Sequence, residues 1–275
     1  MEWVDRMNRV IDYLEANLCD EIDPDAIGRI MACPYSVFQR SFAPITGIQL
    51  SEYLRRRRLT SAAYDLQNTD QRVLDIAIKY GYDSADAFTA AFKRMHGVTP
   101  LEARKPDVNL KFYSRLTFKF MIMGVNEMNY KVIEKKSFDV IGIRRITPYG
   151  GGTWGIVKSD GTAEKMKQIG HPLDLGLCFG FDNEGNNDYM CGAEYEGKDI
   201  TGFEHYIYPD VTWLVFTAEG TISGGTLGAT WKRIYGEFMP QSEYRQMDLP
   251  TIERYVEWDE SADVCRVDIM IPVAI

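Results

Sequence analysis

Over residues 1–104 the apolar positions recur every three or four residues. Trp3, Met7, Val10, Ile11, Leu14 and Leu18 form one such stripe, which predicts an amphipathic first helix. Asp23-Pro24 is a helix start, an N-cap side chain followed by a proline at the first helical position. Leu50, Tyr53, Leu54, Ala62, Ala63 and Leu66 mark a long central helix that carries the run "RRRR" at 55–58. Gly81 closes a helix containing Ile76, Ala77 and Tyr80, and Ser84 caps the next, which runs through Phe88, Phe92 and Met95. The same plan occurs twice at an offset of 50 residues: Phe38, Phe42 and Gly47 map onto Phe88, Phe92 and Gly97. Each copy is a short helix, a turn and a second short helix ending at glycine, and the long basic helix joins the two copies. Pro44 lacks the donor that a helix interior needs, so the second helix of the first copy is expected to stop at or before Ala43.

After "KPDVNL" the texture becomes β-rich. "YKVIEKKSFDVIGIRR", "LGLCFGF", "YMCGAEYE", "TWLVFTAEG", "TIERYVEW" and "VCRVDIMIPV" are strand-like, and "YGGGTWG" is a glycine-rich turn. Helical stretches interrupt them near 160–169 and at "LGATWKRIYGEFM", which predicts two β-α-β-β units in an α+β domain. In "DLPTIERYVEW" strict alternation puts Thr251, Glu253, Tyr255 and Glu257 on one face and Ile252, Arg254, Val256 and Trp258 on the other. The first set lines a pocket or faces water; alternation alone does not choose. The expected organisation is a helical domain over 1–106, a linker or extra element over 107–127 and the α+β domain over 128–275.

Charge changes this picture in one respect. The chain of 275 residues has a net charge of −9, yet residues 29–106 carry 12 basic and 7 acidic side chains. A basic block within an acidic protein is where a polyanion could be held. The five cysteines are scattered, only three histidines occur and no Cys/His cluster appears, so neither a metal nor another cofactor is expected. Neither a signal-peptide core nor a membrane-length apolar run is present, and a cytoplasmic protein without a membrane partner is the expectation.

"GYDSADAFTAAFKRMHGVTPLEAR" (81–104) resembles the signature of AraC-type transcriptional regulators, carried by Gly81, Tyr82, Ser84, Phe88, Phe92, Lys93, Gly97, Thr99, Pro100 and Arg104. With the preceding repeat the resemblance covers about the first 105 residues. From Tyr189 onward "GAEYEG", "WKRIYGEFMPQSEY", "LPTIERYVEW" and "IPV" resemble the GyrI-like effector-binding domain, while 130–188 match loosely. The fold implied is an all-α double helix-turn-helix followed by an α+β GyrI-like domain, its two β-α-β-β repeats built around an antiparallel sheet. The function implied is a one-component regulator that binds promoter DNA and a small effector, with RNA polymerase as a candidate partner.

A recognition helix must offer polar side chains to base edges over about two turns. In "YSVFQRSF" Phe38 and Phe42 turn inward and leave Ser36, Gln39 and Arg40 outward, the positions to which the resemblance assigns base contact. In "DSADAFTAAF" the outward positions are Ala85, Asp86, Thr89 and Ala90, poorer in groups that read bases, with Lys93 and Arg94 placed to reach phosphates. Of Arg55, Arg56, Arg57 and Arg58, which circle one helix, at most one or two can face DNA. In the effector half, aromatic walls with a carboxylate suit a lipophilic cation, as in multidrug-binding sites. The resemblance selects Glu253 as the acid, with Tyr255 on its strand face and Trp231 and Tyr149 as further wall candidates; Glu257 is expected to lie too near the strand end to share the pocket. Two other readings stay open. One is hydrolysis of the ligand with Glu253 as base or nucleophile, although no Ser/His/Asp or Cys/His set appears. The other is a module that binds a protein partner.

Overall fold

The structure is a computed structural model that describes residues 2–119, 127–148, 150–182, 184–197 and 200–274. It contains two compact units: Met1–Ala32 with Gln49–Ile122, and Cys33–Ile48 with Met123–Ile275. Among the described residues no helix is long and apolar enough to cross a membrane.

The first unit is helical: α1 (Glu2–Ala16), α2 (Pro24–Met31), α4 (Leu50–Asn68), α5 (Val73–Lys79), α6 (Ala85–His96) and α7 (Pro100–Ala103). The start signals act as the residues dictate. Asp23 accepts from the Asp25 amide at 2.8 Å ahead of Pro24, and Ser84 accepts from the Ala87 amide at 3.2 Å. Thr99 and Glu102 form a reciprocal capping box on α7. Leu59, Ala62 and Leu66 of α4 pack with Ile76, Phe88 and Phe92 in one fully buried core.

The segment after α7, through Lys119, has no regular structure and lies along the helices as a strap. Its amides at Tyr113, Leu116 and Phe118 donate to Thr60, Tyr53 and Asn8. Arg57 of α4 donates to the Tyr113 carbonyl and is bridged to Glu15 of α1 at 2.8 Å, and Tyr53 donates to the same carboxylate. Burial alone would raise the Glu15 carboxyl. The hydrogen bonds from Arg57 and Tyr53, with the Arg57 charge, outweigh that and hold it below its ordinary value of 4.5. A depressed folded-state pKa contributes stability that is complete above 4.5 and is lost as pH falls through the lower folded value. The difference in unfolding free energy between the wild-type chain and Glu15→Gln, followed by helical circular dichroism, should therefore shrink on acidification below that pH. A difference that stays constant into acid contradicts the assignment.

The second unit contains α3 (Tyr35–Thr46) and the strand-rich region. α3 continues through Pro44, contrary to the expected stop at Ala43. The helix has only one turn left to run there. Ala43 then accepts from the Gly47 amide at 2.8 Å, and Gly47 takes the left-handed φ of +78° that ends the helix. Gly97 does the same for α6 at +85°, so the repeat at an offset of 50 residues is also a repeat of caps.

Among the described residues nine strands form the antiparallel sheet: β1 (Lys131–Lys135), β2 (Phe138–Thr147), β3 (Leu175–Phe181), β4 (Asn187–Glu194), β5 (Glu204–Tyr208), β6 (Val211–Gly220), β7 (Arg245–Gln246), β8 (Thr251–Asp259) and β9 (Val264–Ala274). The spatial order is β1-β6-β9-β8-β3-β4-β2-β5, with β7 on β9. The two expected repeats are present. β2-β3-β4, with α8 (Gly150–Ser159) and α9 (Thr162–Gln168), mirrors β6-β8-β9, with α10 (Thr226–Arg233). They meet at the β3–β8 pair, and each repeat's preceding strand crosses to the other's edge, β1 onto β6 and β5 onto β2.

Most of "YGGGTWG" is helical in α8, where a turn was expected from its glycines. Packing overrides propensity there, because Thr153 and Val157 are fully buried and Gly152 lies close to Thr147. On one sheet face Leu177, Met190, Trp213, Ile252 and Met270 pack together. The opposite face carries α8, through Val157, over Ile143 and Cys191 and α9, through Met166, over Ile141 and Ala193 in the first repeat, and α10 over Leu214, Phe216 and Ile269 in the second.

Candidate functional site: the cavity at the seam of the two repeats

Because Ile252 and Leu177 belong to the first face, Glu253 of β8 and Gly176 of β3 point to the second, where they are register partners. The helices of both repeats flank this seam, and a cavity of about 940 Å³ opens on it. Its walls include Trp154, Cys178, Asn187, Tyr189, Trp231, Tyr255 and Trp258, and its acids Glu253, Glu257 and Glu260.

Glu253 is the hub. One oxygen accepts from Trp231 Nε1 at 2.7 Å; the other accepts from the hydroxyls of Tyr189 at 2.7 Å and Tyr255 at 2.9 Å. Among the described residues no basic side chain pairs with it. Burial, then the Glu253 charge, pushes both tyrosine hydroxyls well above their ordinary value, so they remain donors at neutral pH. Tyr189 reaches the carboxylate over Gly176, where a Cβ would fall 1.7 Å from its hydroxyl oxygen. Trp154 of α8 packs on Tyr255 edge-on at 5.0 Å and donates to the Tyr189 hydroxyl at 3.4 Å. Trp231 stacks on Tyr235 at 5.6 Å; α10 passes into a π turn over Ile234–Phe238, and that turn begins just before Tyr235. The Cys178 thiol is pushed up to about 11, chiefly by burial, and is no nucleophile at neutral pH.

Of the wall candidates, Glu253, Tyr255 and Trp231 come together; Tyr149 lies outside the described residues. Glu257 does line the cavity, against the expectation that it would lie too far along the strand. A bulge between Tyr255 and Glu257 leaves Val256 exposed and breaks the alternation beyond it. The bulge also brings Trp258, assigned by alternation to the other face, against Tyr255 at 5.5 Å. Sequence reasoning missed Tyr189 as a site residue. The signal was present in Gly176, since a strand glycine marks a close approach, but its neighbour across the sheet is set by register.

The base-reading candidates lie on α3 and α6. Asp86 and Lys93 are exposed on α6, with Ala85 and Thr89 half-buried. On α3, Ser36 and Gln39 are half-buried, and Arg40 does not point outward as expected: it is 4% exposed. Its guanidinium donates to the carbonyls of Phe179 at 2.9 Å and Leu249 at 3.3 Å, which explains its burial. The arginine run is taken up within the helical unit. Arg55 and Arg56 pair with Glu52, Arg57 with Glu15, and Arg58 donates to the Leu18 and Asp20 carbonyls.

A helix-turn-helix domain family matches residues 27–106, and the family of the GyrI-like small molecule binding domain matches residues 128–274. Over 101 residues the chain is 37% identical to the HTH-type transcriptional activator AarP of Providencia stuartii, covering 37% of this chain and 75% of that one. Over 213 residues it is 29% identical to the HTH-type transcriptional regulator SAR0107 of Staphylococcus aureus (strain MRSA252), covering 73% of this chain and 26% of that one. Among solved structures, that of SAV2435 bound to tetraphenylphosphonium matches 54% of this chain and 94% of its own, at 19% identity and a TM-score of 0.46. The chain belongs to the GyrI-like small molecule binding family, joined to an AraC-type helix-turn-helix domain, and is a transcriptional regulator.

Proposed function

We propose that the effector of this regulator is a lipophilic aromatic cation held in the seam cavity, with Glu253 as its counter-charge. The observation that carries this reading is a carboxylate that, among the described residues, has no basic partner, set in a cavity walled by Trp154, Tyr189, Trp231, Tyr255 and Trp258. Ring faces attract positive charge and the carboxylate supplies the opposite one. Tyr189, Tyr255 and Trp231 fix the carboxylate's position, so little reorganisation is needed when a cation arrives. The same three donors support a counter-charge rather than a catalytic base, because both oxygens of Glu253 are already accepting hydrogen bonds. Ser36, Gln39 and Arg40 of α3 supply the principal base contacts in this reading. Ala85, Asp86, Thr89 and Lys93 of α6 add backbone contact and weak readout, and effector occupancy alters what RNA polymerase meets at the promoter.

Titrating tetraphenylphosphonium into the full chain tests the ligand assignment, with tryptophan emission as the signal. Saturable quenching with one equivalent bound per chain is expected. The absence of a saturable response removes the cavity reading.

A further inference from the structure

The side chains that the AraC-type resemblance assigns to base reading on α3 are already engaged within the second unit. Ser36 donates to the Asp248 carboxylate. Arg40 donates to the Phe179 and Leu249 carbonyls and lies 3.7 Å from the same Asp248, its own side chain 3% exposed. An arginine held by two backbone carbonyls cannot at the same time present its guanidinium to a guanine edge. α3 is also part of the effector site, since Arg40 and Pro44 contribute to the wall of the cavity that holds Glu253.

We infer that α3 serves two sites in turn: docked, it completes the effector cavity through Arg40 and Pro44, and released, it reads DNA, so that effector and operator compete for one helix. This rests on the cavity reading above and adds its coupling and sign. A ligand that touches Arg40 or Pro44 gains those contacts only while α3 is docked, so it draws the population toward the docked form. By linkage, the factor by which ligand weakens DNA binding equals the factor by which DNA weakens ligand binding. Asp248 is the latch: it holds Ser36 and Arg40 in the docked form and has no role in base reading. It is also largely exposed, so its replacement leaves the core intact.

The experiment uses the full chain and a duplex that this chain selects from a random pool. Asp248→Ala removes one hydrogen bond and one screened ion pair, and should tighten DNA binding about fivefold. Asp248→Asn, which keeps an acceptor for Ser36, should give a smaller gain. Saturating tetraphenylphosphonium should weaken duplex binding by the wild-type chain by a measurable factor, and the duplex should raise the Kd for the cation by that same factor. DNA affinity that is unchanged or lowered in Asp248→Ala overturns the latch. Ligand and duplex binding without mutual effect, or each strengthening the other, overturns the competition. Failure of the cation to bind at all sinks the cavity reading instead, and the Asp248 variants then still decide whether α3 is held.

Discussion

Glu253→Gln should lower the affinity of the full chain for tetraphenylphosphonium about 100-fold while leaving a neutral analogue, triphenylphosphine oxide, bound as before. Glutamine keeps the shape and one acceptor oxygen of the carboxylate but removes its charge. A cation about 4 Å from a carboxylate gains about 4 kcal/mol at the effective dielectric of a partly buried site. Part of that is offset by taking both charges from water. A 100-fold loss corresponds to about 2.7 kcal/mol, within what remains. The neutral analogue separates charge from shape. Equal losses for both probes would mean that the substitution has deformed the aromatic walls. No loss for either would mean that Glu253 is not the counter-charge.

Gly142→Ala should be the most damaging single methyl in the strand-rich unit, costing about 3 kcal/mol or more, in the range of severe overpacking. Gly142 of β2 faces Gly192 of β4 in register, and an added Cβ would fall 2.2 Å from the Cys191 carbonyl oxygen and 2.7 Å from the Gly192 Cα. Both neighbours are backbone, so relief requires the strands to part. Four of the five tryptophans, Trp154, Trp213, Trp231 and Trp258, report on this unit. Their unfolding transition should move to markedly lower denaturant, whereas a helical circular-dichroism transition for the other unit should not. Gly236→Ala, where a Cβ meets nothing within 4 Å, is the matched control and should change stability by less than about 1 kcal/mol. An unshifted tryptophan transition in Gly142→Ala would contradict the close approach.

Much of this architecture was legible along the chain, for a reason that also sets the limit. The helical repeat rests on local signals: Asp23 and Ser84 as caps, Phe38/Phe42 and Phe88/Phe92 at helical spacing, and glycines at the ends. Each acts within a turn or two of itself, and each is where the pattern puts it. Glu253 was legible through the family resemblance and Tyr255 through strand alternation, with Trp231 named as a further wall candidate. What failed depends on partners distant in sequence. Alternation held only up to the bulge at Val256 and so put Trp258 on the wrong face, and a bulge is a property of two strands. Tyr189 joins the site because β3, lying between β4 and β8, has Gly176 where a side chain would block it. "GGGTWG" has the composition of a turn and becomes helix because the sheet buries Thr153 and Val157. Arg40 belongs by periodicity to an outward face and is buried because two carbonyls of the strand-rich region accept its protons.

The mirrored strand order has a consequence for how such a protein can change its diet. The cavity lies where the repeats abut, so one wall comes from α8 of one repeat and the facing wall from α10 of the other. Glu253, by contrast, sits on β8, with the bare backbone of Gly176 beside it. Substitutions on either helix can therefore recut one side of the cavity while strand pairing and the carboxylate stay as they are. Under the cation reading proposed above, selection is free to redraw the outline of the acceptable ligand half a site at a time, with its positive charge as the invariant.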